Sequence, residues 1–192
     1  MLKTLEVVPH VVALCKAPYT IITRFTSDKT IREWLLSTDG HIHDVSFMRA
    51  ILQIVNAVDA IHKHGIIHNL LIDENIMINH VGNKTFVTID NFCLATKLDE
   101  QEPHPCGALN KIQDKLWWVA PEVFYGVNAS TASDVFAMCD VINTICKRIW
   151  KKTLPLQPLL ERGRSKNPAN RPTLAQFREK VIELLERSLY PD

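Results

Sequence analysis

The most constraining feature of this 192-residue chain is a short loop between a long helix pattern and two strand patterns. Apolar residues recur with helical spacing through residues 45–63, which predicts an amphipathic helix there, with Asp44 or Ser46 as its N-cap. Gly65 is expected to end this helix. Residues 66–75, I-I-H-N-L-L-I-D-E-N, follow at once. Strands are then predicted near 76–79 and 85–90, so residues 66–75 form a loop fixed at both ends by regular structure.

This loop resembles the catalytic loop of protein kinases, H-R-D-L-x-x-x-N, because His68 and Asn75 stand seven residues apart as that pattern requires. Leu70 occupies the position of the catalytic Asp, and Ile72 occupies that of the loop's Lys. A leucine cannot accept a proton or orient a hydroxyl nucleophile, which is the role of the Asp in phosphoryl transfer. The resemblance therefore implies a kinase-like loop that lacks its catalytic carboxylate.

Four further segments resemble kinase motifs in the family's order. Residues 87–95 resemble the strand and turn written D-F-G, with Asn91 and Phe92 in its first two positions, and residues 118–122, W-V-A-P-E, resemble the A-P-E segment. Residues 133–136 resemble the start of the large buried kinase helix, and residues 168–173 the loop before the last helix. The resemblance implies an α+β, mainly α fold: a protein-kinase-like large lobe with a short N-terminal strand remnant of the small lobe.

The resemblance also implies how the chain is divided. We expect one truncated kinase-like domain over 1–192, with 1–26 as the small-lobe remnant and 27–192 as the large lobe. The sequence carries no G-x-G-x-x-G loop and no ATP-positioning Lys in the expected place. Strands predicted at 11–15 and 19–25 would be the last strands of the small lobe. Without covering strands they should expose an apolar surface, which usually marks a partner site.

Several other elements are predicted. A short helix is expected over 30–36, capped by Ser27 or Asp28, and longer helices over 133–149 and 173–188. Residues 96–116 are polar and read as a long loop at the place of the activation segment. The stretch from Asp134 to Arg171 is short for a kinase, and one helix usually carried there is expected to be absent.

The remaining motif residues are assigned structural roles. Asn91 replaces a carboxylate that a hard cation prefers, so Asn75 is expected to brace the loop rather than bind a cofactor. Glu122 and Arg171 match a buried ion pair of the family, and Asp134 matches an acceptor for the loop backbone. His68 and Phe92, with Leu2 and Leu14, match the stacked hydrophobic spine of kinases.

Composition limits the partners and the compartment. The net charge of +1, from 22 basic and 21 acidic residues, gives no overall attraction to nucleic acid or membrane. Lys147 and Arg148, with the nearby lysines 151 and 152, are predicted to solvate a helix end. The five cysteines are odd in number and show no C-x-x-C spacing, which favours free thiols in the cytoplasm or nucleus. The histidines at 41, 43, 62 and 64 are too far apart for a metal site, and no cofactor is expected.

The sequence thus predicts that the chain is not an enzyme but a pseudokinase. It would be a catalytically inactive kinase-like binding or regulatory module that modulates an active protein kinase or its substrate. Its motifs resemble the serine/threonine and the tyrosine-kinase-like branches. The alternative is residual nucleotide-binding or phosphotransferase activity through a rebuilt site, which would use Asp73, Glu74, Asp90 or Asp99. Against it, Asp90 is expected to point away from the metal position. A fragment of a longer protein stays open as a third reading.

Overall fold

The structure is a computed structural model that describes residues 6–24, 27, 29–37, 44–82, 84–99, 116–149 and 155–189. This part of the chain mixes helix and strand. The strands are β1 (Val11–Lys16), β2 (Tyr19–Thr23), β3 (Ile66–Ile67), β4 (Ile76–Val81), β5 (Lys84–Ile89) and β6 (Thr96–Lys97). The helices are α1 (Ile31–Leu36), α2 (Asp44–Lys63), α3 (Pro121–Phe124), α4 (Thr131–Ile149), α5 (Gln157–Gly163) and α6 (Leu174–Leu189).

Helix α2 lies at the centre of the core. It packs against α4, α6 and β5, and its apolar stripe is fully buried at Ile51, Ile54 and Val55. Burying one such side chain contributes roughly 1.5–3 kcal/mol relative to leaving it exposed, so this stripe fixes the position of the helix. Among the described helices, none combines the length and apolar character needed to cross a bilayer.

The start of α1 differs from the prediction. Its N-cap is Thr30, whose hydroxyl accepts a hydrogen bond from the backbone N–H of Glu33 at 3.2 Å, while the Glu33 carboxylate accepts from the N–H of Thr30 at 2.8 Å. This capping box satisfies two donors that the first turn leaves unpaired. The predicted cap at Ser27 is therefore wrong, because its hydroxyl instead donates to the carbonyl of Ile78. Asp28 lies outside the described residues.

The β1–β2 hairpin shows the exposed apolar surface that was expected. Within the described residues the two strands pair only with each other, and every residue of β1 is exposed. Leu14 is 70% exposed, so the prediction that it joins a buried hydrophobic spine is wrong. A strand pair without a covering layer on this face leaves such a side chain in water. Leu2, the other residue assigned to that spine, lies outside the described residues.

Two further segments bear on the site. The first residues of the predicted 96–116 loop form β6, which pairs antiparallel with β3, and residues 100–115 of that loop lie outside the described part. Between Asp134 and Arg171 the structure contains α5, a short helix that was not predicted. It buries Leu160 and Gly163. Its seven residues include Pro158 in the first turn, which is too little periodic sequence to indicate a helix.

Candidate active-site cleft

The loop of residues 66–75 is held by hydrogen bonds to one carboxylate near the start of α4. Asp134 Oδ2 accepts hydrogen bonds from the backbone N–H of His68 and from Nε2 of His62, both at 2.8 Å, and Oδ1 accepts from the N–H of Asn69 at 2.9 Å. Asp134 is 1% exposed. Three donors satisfy a charge that would otherwise be costly to bury, so the loop backbone and α4 are fixed relative to each other.

His68 is a buried, neutral support of the loop. Its Nε2 donates to the carbonyl of Asp90 at 3.0 Å, and its Nδ1 accepts from the N–H of Leu70 at 3.2 Å. Burial lowers the pKa of the His68 imidazole, and this outweighs the attraction of Asp134. The ring stands edge-on against Phe92, with centroids 4.6 Å apart. The structure therefore brings His68 and Phe92 together.

The positions of the catalytic Asp and the loop's Lys carry apolar side chains. Leu70 is buried, at 9% exposure, and Ile72 is half-buried. The backbone carbonyl of Leu70 accepts from Nδ2 of Asn75 at 3.0 Å, which is the bracing bond expected of that asparagine. Neither side chain can exchange a proton, so acid–base chemistry at this loop would have to come from other groups.

Asn91 and Asn75 meet at the edge of this loop. Nδ2 of Asn91 donates to Oδ1 of Asn75 at 3.3 Å, and the carbonyl of Asn75 accepts from the N–H of Asp90 at 2.9 Å. Asn91 adopts a left-handed conformation with φ of 62°, which asparagine tolerates better than most residues. The two chain segments that the kinase resemblance assigns to metal binding are therefore adjacent but joined by neutral amides.

Asp90 is placed differently from the prediction. The expectation that it points away from the site assumed that the strand continues through it, but β5 ends at Ile89 and the chain turns at Asn91. Asp90 is exposed, its Oδ1 accepts from the N–H of Asn91 at 2.7 Å, and it lines the same cavity as Asn91. One carboxylate thus stands beside the amide pair.

A cavity of about 620 Å³ lies between the β1–β2 hairpin and the turn at residues 90–93. Its walls are formed by Val8, Pro9, Val11, Ile21, Thr23, Ile61, Ile66 and residues 90–93. Most of this surface is apolar, and its polar groups gather at the turn. Ligand pockets of proteins have about this size, 300–1,000 Å³, and this character. Sequence reasoning missed the cavity because it depends on how the hairpin sits over a turn some seventy residues further along the chain.

The donor set for a metal ion is incomplete. The described residues contain no group of three or more His, Cys, Asp or Glu side chains that could hold a metal ion. Among the described residues of the cavity wall, Asp90 is the single carboxylate, and it lies beside the amide of Asn91. Mg²⁺ prefers one or two carboxylates together with phosphate oxygens and water. These residues do not amount to a protein-held magnesium site.

The Glu122–Arg171 ion pair is present below the loop. The Arg171 guanidinium donates to both carboxylate oxygens of Glu122, at 2.7 and 2.6 Å, and its side chain is 1% exposed. Burial acts to raise the pKa of the Glu122 carboxyl, but the bonds from Arg171 and from the Ser133 hydroxyl outweigh it and hold the pKa below its usual value. This pair ties α3 to the segment before α6.

Asn69 has a contact that sequence reasoning missed. Its backbone is left-handed, with φ of 64°, and Nδ2 donates to the carbonyl of Leu94 at 2.9 Å and to the hydroxyl of Thr96 at 3.0 Å. Asn69 therefore joins the 66–75 loop to the first residues of the segment that starts at β6. An asparagine at a position that follows a short strand was the available signal, since asparagine is enriched at left-handed positions.

Comparison with known proteins finds similarity to protein kinases. The chain is 26% identical over 120 residues to the serine/threonine-protein kinase PrkC of Bacillus subtilis, covering 62% of this chain and 17% of that protein. It is 26% identical over 118 residues to the probable serine/threonine-protein kinase PknB of Lactococcus lactis, covering 62% of this chain and 18% of that protein. It is 25% identical over 150 residues to the serine/threonine/tyrosine-protein kinase HT1 of Arabidopsis thaliana, covering 77% of this chain and 35% of that protein.

These matches span between 17% and 35% of the relatives' own length. They contradict the prediction that the chain is not an enzyme, because the similar proteins are named as kinases. The prediction relied on the residues at Leu70, Ile72 and Asn91 and on the missing glycine-rich loop and ATP-positioning Lys. Phosphoryl transfer depends mostly on positioning and charge stabilisation, so such departures from the motifs do not by themselves exclude it. The family model for the protein kinase domain matches residues 2–190, and the chain therefore belongs to the protein kinase domain family.

Proposed function

We propose that this domain binds a nucleotide in the cavity between the β1–β2 hairpin and the turn at residues 90–93, and transfers phosphate from it through a rebuilt site. The observation that carries the proposal is the cavity of about 620 Å³, apolar along the hairpin and polar at Asp90 and Asn91. An apolar wall suits a base, and polar groups at one end suit phosphates. Membership of the kinase family supports a nucleotide as the ligand.

In this proposal the cavity lies between the two parts of the domain. Residues 1–26 correspond to the remnant of the small lobe and residues 27–192 to the large lobe. Val11, Ile21 and Thr23 would contact the base from the first part, and Ile66 and Phe92 from the second. The 66–75 loop and the turn at residues 90–93 would be held in fixed positions by the buried hydrogen bonds of His68, Asp134 and the Glu122–Arg171 pair.

The chemistry proposed for the site is a slow transfer of phosphate, in which the protein positions the nucleotide and the acceptor hydroxyl but supplies no general base at Leu70. Leu70 offers no general base, and a positioned base usually contributes about 10²–10⁴-fold to a rate. What remains is alignment of the phosphate against an acceptor hydroxyl, with Asp90 as the acidic group closest to the amide pair. Because the donor set does not complete a magnesium site, no part of the proposal depends on one.

The binding half of the proposal is tested by a thermal shift of the full chain with ATP. A saturable rise in melting temperature is expected, since ligand at one hundred times its dissociation constant stabilises by about 2.7 kcal/mol. Ile21→Trp should abolish the rise, because Ile21 lines the cavity and is 66% exposed, so a larger ring fills the cavity without disturbing a core. Ile22→Trp is the matched control.

Ile22 is a good control because successive strand residues point to opposite faces. It is 45% exposed and does not line the cavity, so Ile22→Trp should keep the ATP shift. The transfer half is tested with γ-labelled ATP and a generic protein acceptor, where label incorporation should fall with Ile21→Trp and persist with Ile22→Trp. No saturable shift with ATP, or equal loss in both variants, would contradict the proposal.

A second candidate function rests on the exposed apolar side chains of the hairpin, which lie on both of its faces since Leu14 pairs with Ile21 and Ala13 pairs with Ile22. Val12, Leu14 and Ile22 are 60%, 70% and 45% exposed, and such a patch usually marks a protein contact. We propose a protein kinase or a kinase substrate as the partner, bound along this hairpin. Leu14→Lys should weaken binding to an immobilised panel of purified kinases measured by biolayer interferometry. If wild type binds none of the panel, this second function is rejected.

A further inference from the structure

A second cavity, of about 370 Å³, lies between α1, the 66–75 loop and the C-terminal end of α4. Its lining includes Arg32, Leu35, Leu36, Asp73, Lys147 and Arg148. We propose that this basic cavity binds an acidic peptide segment of a protein partner. We infer further that this partner accepts the transferred phosphate. That second step rests on the proposed function, whereas the binding itself does not.

The charge of the basic cavity carries the proposal. Three cationic side chains, those of Arg32, Lys147 and Arg148, line the cavity together with one carboxylate, that of Asp73, and a second carboxylate, that of Glu74, pairs with Arg32 at the rim. The whole chain has a net charge of only +1, so attraction of an acidic segment has to come from a local group of cations such as this one. Clusters of arginine and lysine that converge on a concave site are a recurring way of recognising acidic or phosphorylated peptides.

The existing ion pair at the rim does not close the cavity. Arg32 pairs with Glu74, and their side chains are 56% and 41% exposed. Exposed ion pairs of this kind are weak and exchange readily with solvent or with another anion. A carboxylate from a bound peptide can therefore share the guanidinium of Arg32, while Lys147 at the other side of the cavity is exposed and ready to contact a second one.

Solvation of the end of α4 is the simpler reading of Lys147 and Arg148, since cations are favourable near a helix C-terminus. That reading does not account for Arg32, which comes from a different helix and lines the same cavity. It also leaves Leu36, which is 74% exposed at the cavity wall, without a role. An acidic peptide with an apolar side chain would use both the cations and this leucine.

The basic cavity and the proposed transfer site both involve the 66–75 loop. Asp73 lies two residues before Asn75, whose amide meets Asn91 at the wall of the nucleotide cavity. A peptide bound along α1 and α4 would thus pass beside the 66–75 loop. A nucleic acid fits less well, because none of the described residues that line the basic cavity is aromatic and single-stranded binding normally relies on base stacking.

The test measures binding of a fluorescein-labelled peptide of eight residues, six of them glutamate, to the full chain by fluorescence anisotropy without nucleotide. Saturable binding at 50 mM NaCl is expected, with at least tenfold weakening by Lys147→Glu. Lys84→Glu makes the same charge change at an exposed site on β5, outside the cavity lining, and should leave the affinity within twofold. Arg32→Gln provides a second cavity variant, and circular dichroism checks that each protein folds.

Several results would overturn the proposal. Equal weakening by Lys147→Glu and Lys84→Glu would mean that only the overall charge matters, and tighter binding of a single-stranded oligonucleotide of equal charge would assign the cavity to nucleic acid. Absence of peptide binding would reject it outright. Since no nucleotide is present, a failure here with an intact ATP shift leaves the proposed function standing, and the reverse result leaves the peptide site standing.

Discussion

The side-chain amide of Asn91 donates to Oδ1 of Asn75 across 3.3 Å, joining the turn after β5 to the end of the 66–75 loop. Two neutral groups can approach this closely without a cation between them, whereas two carboxylates would repel. An amide–amide hydrogen bond therefore joins the two segments that the kinase resemblance assigns to metal binding.

The first prediction follows from that amide pair. ATP binding by the native chain should be largely independent of magnesium, and Asn91→Asp should make it magnesium-dependent, because a carboxylate then faces the Asn75 amide and Asp90. The expected result is a larger ATP shift with magnesium than with EDTA for the variant alone. Asn170→Asp, at an exposed position outside the cavity, is the control. The same magnesium dependence in native chain and variant would contradict the prediction.

The second prediction concerns the ion pair below the loop. Arg171→Ala should lower the free energy of unfolding by roughly 3–5 kcal/mol, because it strands the buried Glu122 carboxylate. It also removes the bonds from Arg171 to the carbonyls of Ser165 and Ala132. Urea denaturation measures the change. Arg187→Ala breaks an exposed pair with Glu183 and should cost about 0–1 kcal/mol, so equal losses in the two variants would refute the argument.

The third prediction concerns stability in acid and rests on two groups with lowered pKa values. Glu122 has a folded-state pKa below its ordinary value of 4.5, since its bonds from Arg171 outweigh burial. As the pH falls through 4.5, the unfolded chain takes up this proton first, so the free energy of unfolding decreases until the folded-state pKa is passed. Glu122→Gln should make this decrease smaller without removing it, because the pKa of Asp59 is also lowered, and urea midpoints between pH 5 and pH 3 measure the difference.

His68 acts in a higher window. Burial lowers the pKa of its imidazole below the ordinary 6.5, so the unfolded chain binds a proton that the folded chain refuses, and stability falls as the pH drops below 6.5. His80, whose pKa burial also lowers, contributes in the same window. His68→Gln should therefore reduce, without abolishing, the loss between pH 6.5 and pH 5. An unchanged slope in that range would mean that folding does not lower the pKa of His68.

The fold was largely predictable where local sequence decides it. The apolar spacing through α2 predicted that helix within one residue of its observed start, and the two hairpins followed from strand patterns around a proline and a glycine. The cap of α1 was missed because Ser27 and Thr30 are both good N-caps, and only the contact of Ser27 with Ile78 and the capping box of Thr30 with Glu33 decide between them.

The site was predictable in its parts but not in its arrangement. Motif spacing identified His68, Asn75 and Asn91, and the structure brings them to one edge of the cleft. Motif spacing could not place Asp90, because the direction of its side chain depends on where β5 ends and on the left-handed backbone of Asn91. It could not find the cavities either, since each is walled by segments distant in sequence. Inferring inactivity from Leu70, Ile72, Asn91 and the missing glycine-rich loop and ATP-positioning Lys gave too much weight to missing motif residues.

The fourth prediction takes up the first of these residues, Leu70. Leu70→Asp should raise the rate of phosphate transfer from ATP by about 10²–10⁴-fold, the usual contribution of a positioned general base. The change is feasible because Leu70 sits in a loop already held by Asp134 and His68, with its backbone carbonyl bonded to Asn75, so the backbone needs no new contact. Leu70→Asn matches the new side chain in size and polarity but accepts no proton. A rate increase confined to Leu70→Asp would show that the cleft positions both reactants. If neither variant differs from the native chain while ATP still binds, the acceptor hydroxyl does not approach this loop, and the proposed transfer site is wrong even though the nucleotide site stands.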